Sequence, residues 1–526
     1  MKLIMKNTII RTIVLILIPF LGGCTDWLDI RPESEVVLED YWQNETQATQ
    51  VLAACYRSFT EADNVRRMLV WGELRSDNLV KGNGSDSEVE RILDVDINSS
   101  NAYARWGSMY RTINYCNTFL HFAPGVVELD KNFTESKLNA LSAEVRTLRA
   151  LAYFYLVRAF RDVPIIKEPS IDDTQDYNVP KSSESEVLDF IIQELREALV
   201  YARSSFDQIQ EPKARITLNA VHALLADVYL WNGQYDLCIS ECNQVLADQS
   251  LELVDPESMY RDVFYTGNSS ESIFEFAFDD DEIRNDAVRD FYGYIGDITG
   301  KLSLPVFLFE GDRSPFNHYE GASLESEKDI RLKDFINTYA ALSYGYYYIF
   351  KYAGIQRIEN DAGISTYIYS NFSPNWIVYR LPDVILMKAE ALVQLNRNQV
   401  DLREALNLVN TTYLRANPEL EGDSLKFENY SDKFKMEDLV LRERQRELMF
   451  EGKRWFDLMR IAKRDGSPDE LLNYVMPKFT GNQALQYSKM STMDALYFPI
   501  HKDELESNPR LVQNPFYEIS GTGTPE

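Results

Sequence analysis

Leu225-Ala226-Asp227-Val228-Tyr229-Leu230-Trp231-Asn232-Gly233-Gln234-Tyr235-Asp236-Leu237-Cys238-Ile239-Ser240-Glu241-Cys242-Asn243-Gln244-Val245 sets large, small and aromatic side chains at helical spacing on both sides of one glycine. Leu225, Ala226 and Tyr229 serve a first helix, and Tyr235, Cys238, Cys242 and Val245 a second. Gly233 permits the tight turn between them, and small Ala226 and Cys238 let the two helices approach closely.

This is the spacing of one tetratricopeptide repeat. A looser copy starts at Leu386 and runs through Ala389, Leu392 and Ala405, with extra residues in its turn. Solenoid pairs cannot bury their faces alone. Further degenerate copies are therefore expected near Gln43–Phe59 and Arg105–Phe160, about four pairs in all. Trp106, Tyr110, Ile113, Asn117 and Leu120 do alternate spacings of four and three, as do Leu138, Leu141, Val145, Leu148, Ala152 and Tyr155. Thr134 and Glu135 cap the second of these helices and Pro164 lies beyond its end. Asp162 to Lys181 reads as a surface excursion, with helices resuming at about Ser183. From Ser250 to Ser373 the texture changes to Asp, Gly, Ser and aromatic residues, a loop-rich part with short strands at Ile273–Phe278 and Tyr346–Tyr352. Loops of that length on a rigid scaffold usually carry function.

Lys2, Lys6 and Arg11 precede and open an apolar run, Thr12 to Leu21, too short to span a bilayer, and Leu21-Gly22-Gly23-Cys24 follows. That is a secretory signal ending in a lipobox, with Cys24 as the lipidated N-terminus of the mature chain. The other reading is a general secretory signal with an incidental cysteine. Each buried acyl methylene contributes about 0.8 kcal/mol, so an acylated cysteine holds a domain on a membrane without a spanning helix. Cleavage removes three basic residues and no acid, taking the charge from −28 further negative. Such a body repels nucleic acid and anionic lipid. With 45% hydrophobic residues the chain can bury a large core, and no long Gly/Ser or Pro-rich linker divides it. Cys55, Cys116, Cys238 and Cys242 read as packed thiols rather than a disulfide framework.

Several ordered motifs resemble the SusD/RagB-like lipoproteins of Gram-negative outer membranes. After the lipobox come Trp27-Leu28-Asp29-Ile30-Arg31-Pro32-Glu33 and Leu74-Arg75-Ser76-Asp77-Asn78. Ala143-Glu144-Val145-Arg146 leads to Tyr153-Phe154-Tyr155-Leu156-Val157 and Asp162-Val163-Pro164. Arg380-Leu381-Pro382-Asp383-Val384-Ile385-Leu386-Met387 precedes Ala389-Glu390-Ala391. The longest match is Arg446-Glu447-Leu448-Met449-Phe450-Glu451-Gly452-Lys453-Arg454-Trp455-Phe456-Asp457-Leu458-Met459-Arg460, and Phe498-Pro499-Ile500, Asn508-Pro509 and Gln513-Asn514-Pro515 close the series. Only about Glu282 to Asn375 departs from the pattern.

The resemblance implies a mainly α fold: a tetratricopeptide-like helix-pair scaffold with a loop-rich, partly irregular second part carrying short strands. Residues 1–23 would be removed, leaving one unit, 24–526. Its scaffold is expected mainly in 40–250 and 380–465, and its variable ligand-binding part mainly in 251–375 and 466–526. It further implies a lid on a SusC-like TonB-dependent transporter, lipid-anchored at the outer membrane and facing the exterior, holding an oligosaccharide or peptide for import. Asp26 and Asp29 after Cys24 are compatible with the family's export signals, or with chance in an acidic protein.

Glu443, Glu447 and Glu451 step by four along one helix face and would repel each other, so something basic must face them. Arg442, Arg446, Arg454 or arginines of another helix are candidates. Buried ion pairing suits a packed helix better than catalysis does, since glycoside hydrolysis needs two acids flanking an open cleft. His121, His222, His318 and His501 share no motif spacing, and no nucleophile, phosphate or dinucleotide fingerprint occurs, so the chain is not read as an enzyme. Asp279, Asp280 and Asp281 offer oxygens to a structural calcium but lack the spacing and glycine of an EF-hand loop, and a solvated acidic loop is the plainer reading. No other cofactor is implied.

Aromatic residues are the more useful clue, because a pyranose stacks its C–H faces on a flat ring while Asp, Asn and Arg bond its hydroxyls. Three groups are candidates: Trp71, Tyr103 and Trp106 beside Asp77 and Asn78; Phe291, Tyr292 and Tyr294; and Tyr319, Tyr344, Tyr346 and Trp376. Trp106 also fits the apolar stripe of its helix. The resemblance places ligand recognition near the first two groups. The expected function is capture of oligosaccharide and its transfer to the transporter. A dense aromatic platform would favour glycan and a polar cleft with few exposed rings would favour peptide. A scaffold with no small-ligand pocket would indicate an assembly adaptor.

Overall fold

The computed structural model describes residues 41–171, 175–206, 212–293, 300–308, 313–316, 329–337, 347–352, 355–359, 365–369, 373–420 and 423–519. Cys24 and its signal, Tyr294, His318, Tyr319, Tyr344 and Tyr346 lie outside them. Helices dominate. In chain order the main ones are α1 (Glu45–Thr60), α2 (Ala62–Leu69), α3 (Gly107–Leu129), α4 (Glu135–Phe160), α5 (Glu184–Leu199), α6 (Leu218–Trp231) and α7 (Tyr235–Leu246). After the loop-rich part follow α8 (Leu381–Leu395), α9 (Gln399–Ala416), α10 (Lys433–Leu448) and α11 (Arg454–Asp465).

Local chemistry sets these boundaries. Thr134 accepts from the Lys137 N–H to start α4, and Ser183 with Glu186 forms a reciprocal capping box at α5. Gly233 takes φ +69° in the turn between α6 and α7, a conformation in which a Cβ is strained. Ala226 and Cys238 are fully buried where these helices meet.

Packing follows the expected solenoid. The pairs α1/α3, α4/α5, α6/α7 and α8/α9 pack internally and against their neighbours, with α2 inserted in the first pair. Helix α7 packs on α8 although the loop-rich part separates them in sequence, so that part is an insertion between the third and fourth pairs. Strands β1 (Ser272–Phe276) and β2 (Trp376–Arg380) close its base, pairing antiparallel from Ser272↔Arg380 to Phe276↔Trp376. Phe276 stacks on Phe59 of α1 at 4.9 Å and thereby pins the insertion to the scaffold. Of the expected strand Tyr346–Tyr352, the described residues Tyr348–Ile349 pair with Ile336–Asn337. Between residues 466 and 519, Asp469–Val475, Gln483–Met490, Lys502–Ser507 and Pro515–Ile519 are short helices.

The acidic triplet is buried, but not on one helix face. Met449 ends α10 with extended ψ and Phe450 has φ 70°, so Glu451 lies in the turn beyond the helix. Arg331 reaches Glu443 at 2.8 Å and Glu447 at 2.9 Å, Arg380 reaches Glu447 at 2.6 Å and Glu451 at 2.7 Å, and Lys351 reaches Glu451 at 2.6 Å. Arg446 pairs with Glu443 as expected, whereas Arg454 turns to Asp77 and Arg442 to Asp438. Burial alone would push the Glu447 carboxyl up; Arg415, Arg380 and Arg331 hold it well below the ordinary range. Cys55, Cys116, Cys238 and Cys242 are free buried thiols. No helix of the described residues is long and apolar enough to cross a membrane.

Candidate ligand-binding site

Helix α2 places Asp63, Arg66 and Arg67 on adjacent turns. Beside it Asn101 accepts from the Tyr103 N–H and opens a single 3-10 turn, Ala102–Ala104. Two buried side chains fix that turn: Trp71 Nε1 donates to the Tyr103 carbonyl at 2.9 Å, and Arg67 Nε donates to the Arg105 carbonyl at 2.6 Å. The facing wall is the short helix Asp286–Tyr292, which carries Asp290, and Lys301, which follows in the chain.

Lys301 is positioned by glycine. The Gly82 N–H donates to its carbonyl at 2.9 Å, and a Cβ at Gly82 would lie 2.6 Å from the Gly300 carbonyl oxygen, so only glycine allows this crossing. The Lys301 N–H donates to the Asp290 carbonyl at 3.1 Å. Its Nζ then reaches Asp86 at 2.9 Å. Burial works against the Asp86 charge, but the Val89 N–H and Lys301 hold its carboxyl below the usual range. Arg66 spans to Asp290 at 2.8 Å. These walls enclose a groove of about 460 Å³ lined by Asp63, Arg66, Arg67, Tyr103, Arg105, Asp290 and Lys301.

The structure brings the first two aromatic groups together here, but not as a platform. Tyr103 and Phe291 meet edge to face at 6.1 Å, and Tyr103 is only 8% exposed where it lines the groove. Trp71, Trp106, Phe291, Tyr292 and Trp376 are all buried, which corrects their reading as ligand contacts. Each is occupied within the core. Trp106 packs on Phe160 at 5.1 Å, while Tyr292 stacks on Tyr352 at 6.2 Å and Tyr352 on Trp376 at 5.8 Å. Asn78 is likewise spent, donating to Glu73 at 2.7 Å and accepting from Gln445 at 2.9 Å. Asp77 gives both oxygens to Arg454 at 2.8 Å.

Asp77 does line a second, larger groove of about 810 Å³ with Asp438, Arg442, Gln445 and Tyr474. A smaller cavity of about 180 Å³ lies around Trp231, Val393, Val440 and Ile461 of the scaffold helices. His222 Nδ1 lies 2.6 Å from Glu241 across the α6/α7 pair. Asp279 caps its own turn, accepting from the Asp281 N–H at 2.8 Å, while Asp280 and Asp281 point to solvent. Among the described residues no three His, Cys, Asp or Glu gather to hold a metal. The charged residues of the first groove were not singled out from sequence, since Arg66, Arg105 and Lys301 share no local motif.

Comparison with known proteins gives a consistent result. The chain matches a family described as "Starch-binding associating with outer membrane" over residues 26–230 and the "SusD family" over residues 317–517. It is 26% identical over 549 residues to SusD-like protein P38 of Formosa agariphila, an alignment covering 97% of this chain and 99% of that one. A SusD superfamily crystal structure from Bacteroides vulgatus superposes with a TM-score of 0.72 at 18% identity, covering 90% of this chain and 100% of the other. A laminarin-binding SusD-like protein superposes with a TM-score of 0.65 at 23% identity, again over 90% and 100%. At these identities the structural likeness speaks to the fold.

Proposed function

We propose a function from one premise: this chain belongs to the SusD/RagB-like family, and acts as a non-catalytic, lipid-anchored protein that binds oligosaccharide and passes it to a SusC-like TonB-dependent transporter. The observation that carries the binding step is the groove at Tyr103, where guanidinium, ammonium and carboxylate groups converge on about 460 Å³ at the junction of scaffold and insertion. Sugar hydroxyls donate and accept together, so a rim of mixed sign can bond them. The family's outer-membrane association and the starch- and laminarin-binding relatives support the glycan class. Anchoring at Cys24 would keep a lid beside its barrel while leaving it free to swing.

A second reading keeps the architecture with a peptide ligand, and a specific observation favours it: the groove is polar and shows no exposed ring face among its described residues. Calorimetric titration of the soluble chain beginning after Cys24 against panels of oligosaccharides and of peptides decides between them. Saturable glycan binding is expected; peptide binding alone would replace the first reading, and turnover of any panel member would overturn the non-catalytic one.

A further inference from the structure

We infer that the groove at Tyr103 selects anionic oligosaccharides, those bearing carboxylate or sulfate groups, over their neutral counterparts; this rests on the reading of that groove as the glycan site. The chain carries a net charge of −28, yet four of the seven charged or aromatic side chains at this groove are Arg66, Arg67, Arg105 and Lys301. Their commitments differ. Arg67 is buried and spent, paired with Asp63 at 2.6 Å and bonded to backbone carbonyls at Asp63, Ala102 and Arg105. Lys301 is shared between Asp86 at 2.9 Å and Asp290 at 3.9 Å.

Arg66 and Arg105 retain capacity. Arg66 bonds Asp290 through Nη2 alone, and its Nε is buried with no hydrogen-bond partner among the described residues. Arg105 is about half exposed and engages Asp503 through Nη2 at 2.6 Å, with no described partner on the rest of its fork. Counting the outer acids, four cations face Asp63, Asp86, Asp290 and Asp503. The groove therefore gathers cations within a strongly acidic protein, and the repulsion an anion meets elsewhere on the surface is weakened here.

A planar guanidinium fork matches a carboxylate or sulfate edge with two parallel hydrogen bonds between opposite charges, a match that a single neutral hydroxyl cannot offer. The described lining offers no ring face on which a neutral sugar would stack, so charge is the discriminating handle that remains.

The test uses the soluble chain from residue 25, with matched pairs of oligosaccharides: uronate-bearing chains against their methyl esters, and sulfated chains against their desulfated forms. An acidic member should bind at least about tenfold more tightly than its neutral partner, and the preference should shrink as salt rises from 50 to 500 mM, roughly as screening predicts. Arg66→Gln and Arg105→Gln, both at partly exposed positions, should each cost the acidic ligand about tenfold while leaving the circular dichroism spectrum unchanged. Equal affinity for acidic and neutral partners, or acidic binding indifferent to both substitutions, overturns the selectivity but leaves the glycan site standing. Binding of oligoglutamate without any glycan, or no binding at all, overturns the site reading itself.

Discussion

Arg66 in α2 meets Asp290 at 2.8 Å although 224 positions separate them in the chain. The pair ties the scaffold to the insertion at the groove, with side chains 31% and 43% exposed. Solvent screens so open a pair, so a double-mutant cycle of Arg66→Ala and Asp290→Ala in urea unfolding should give a coupling of about 0.2–1 kcal/mol. A coupling above about 2 kcal/mol would mean that the groove is closed to water, contrary to its geometry.

Gly72 and Gly452 touch through their backbones. A Cβ built on Gly72 would sit 1.8 Å from the Gly452 carbonyl oxygen, and Gly452 itself has φ +71°. No side-chain rotation relieves a clash with backbone. Gly72→Ala should therefore cost more than about 3 kcal/mol or abolish soluble expression. Gly125, inside α3 with nothing within 4 Å of its added Cβ, is the control. There Gly125→Ala should be neutral or stabilise by up to about 1 kcal/mol, read as the urea midpoint.

Legibility in the sequence divides along these lines. Where a signal is local it was readable: the pair around Gly233, the cap at Thr134, the helix start near Ser183, and the apolar positions Leu386, Ala389, Leu392 and Ala405, which form one core cluster between α8 and α10. Spacing also showed that Glu443 and Glu447 need cations, though not that Arg331, Arg380 and Lys351 from the insertion and its edge would supply them. Exposure of aromatic residues was not readable, because Trp71 or Phe291 looks the same in sequence whether its ring faces a ligand or a core. The groove was unreadable for a related reason. Its cations come from 66–67, 105 and 301, and only tertiary packing, including the crossing of Gly82 and Gly300 that places Lys301, assembles them.

Burial should separate ion pairs that a sequence cannot rank. Glu447 is fully buried among Arg331, Arg380 and Arg415, whereas Glu45 pairs with Lys137 at 2.7 Å with side chains 35% and 42% exposed. Glu447→Gln removes the negative charge on which three buried guanidiniums depend and should cost about 3–5 kcal/mol. Glu45→Gln should cost less than about 1 kcal/mol. Guanidinium chloride would mask such charges, so urea unfolding is the appropriate measurement, and similar losses in the two variants would refute the assignment of this cluster as desolvated.

Two buried groups give the stability a pH dependence of known sign. Burial pushes the Glu73 carboxyl from 4.5 up to about 7, even though Asn78 and the backbone N–H groups of Phe450, Arg454 and Lys453 bond it. Below 4.5 the folded and unfolded forms are both protonated and nothing is lost. Between 4.5 and about 7 only the unfolded form ionises, so stability falls by about 3 kcal/mol and then levels off. Burial likewise lowers Lys478 from 10.5 to about 7, its Nζ resting on the carbonyls of Leu74, Arg75 and Ser76. Its penalty is full below about 7 and fades as pH rises to 10.5. Urea unfolding from pH 4 to 10 should therefore show Glu73→Gln gaining on the unaltered chain between pH 4.5 and 7, and Lys478→Met losing its advantage between pH 7 and 10.5. Constant offsets from lost hydrogen bonds or packing do not alter these slopes. A difference curve flat across its window would show that the group concerned keeps its ordinary titration in the folded protein.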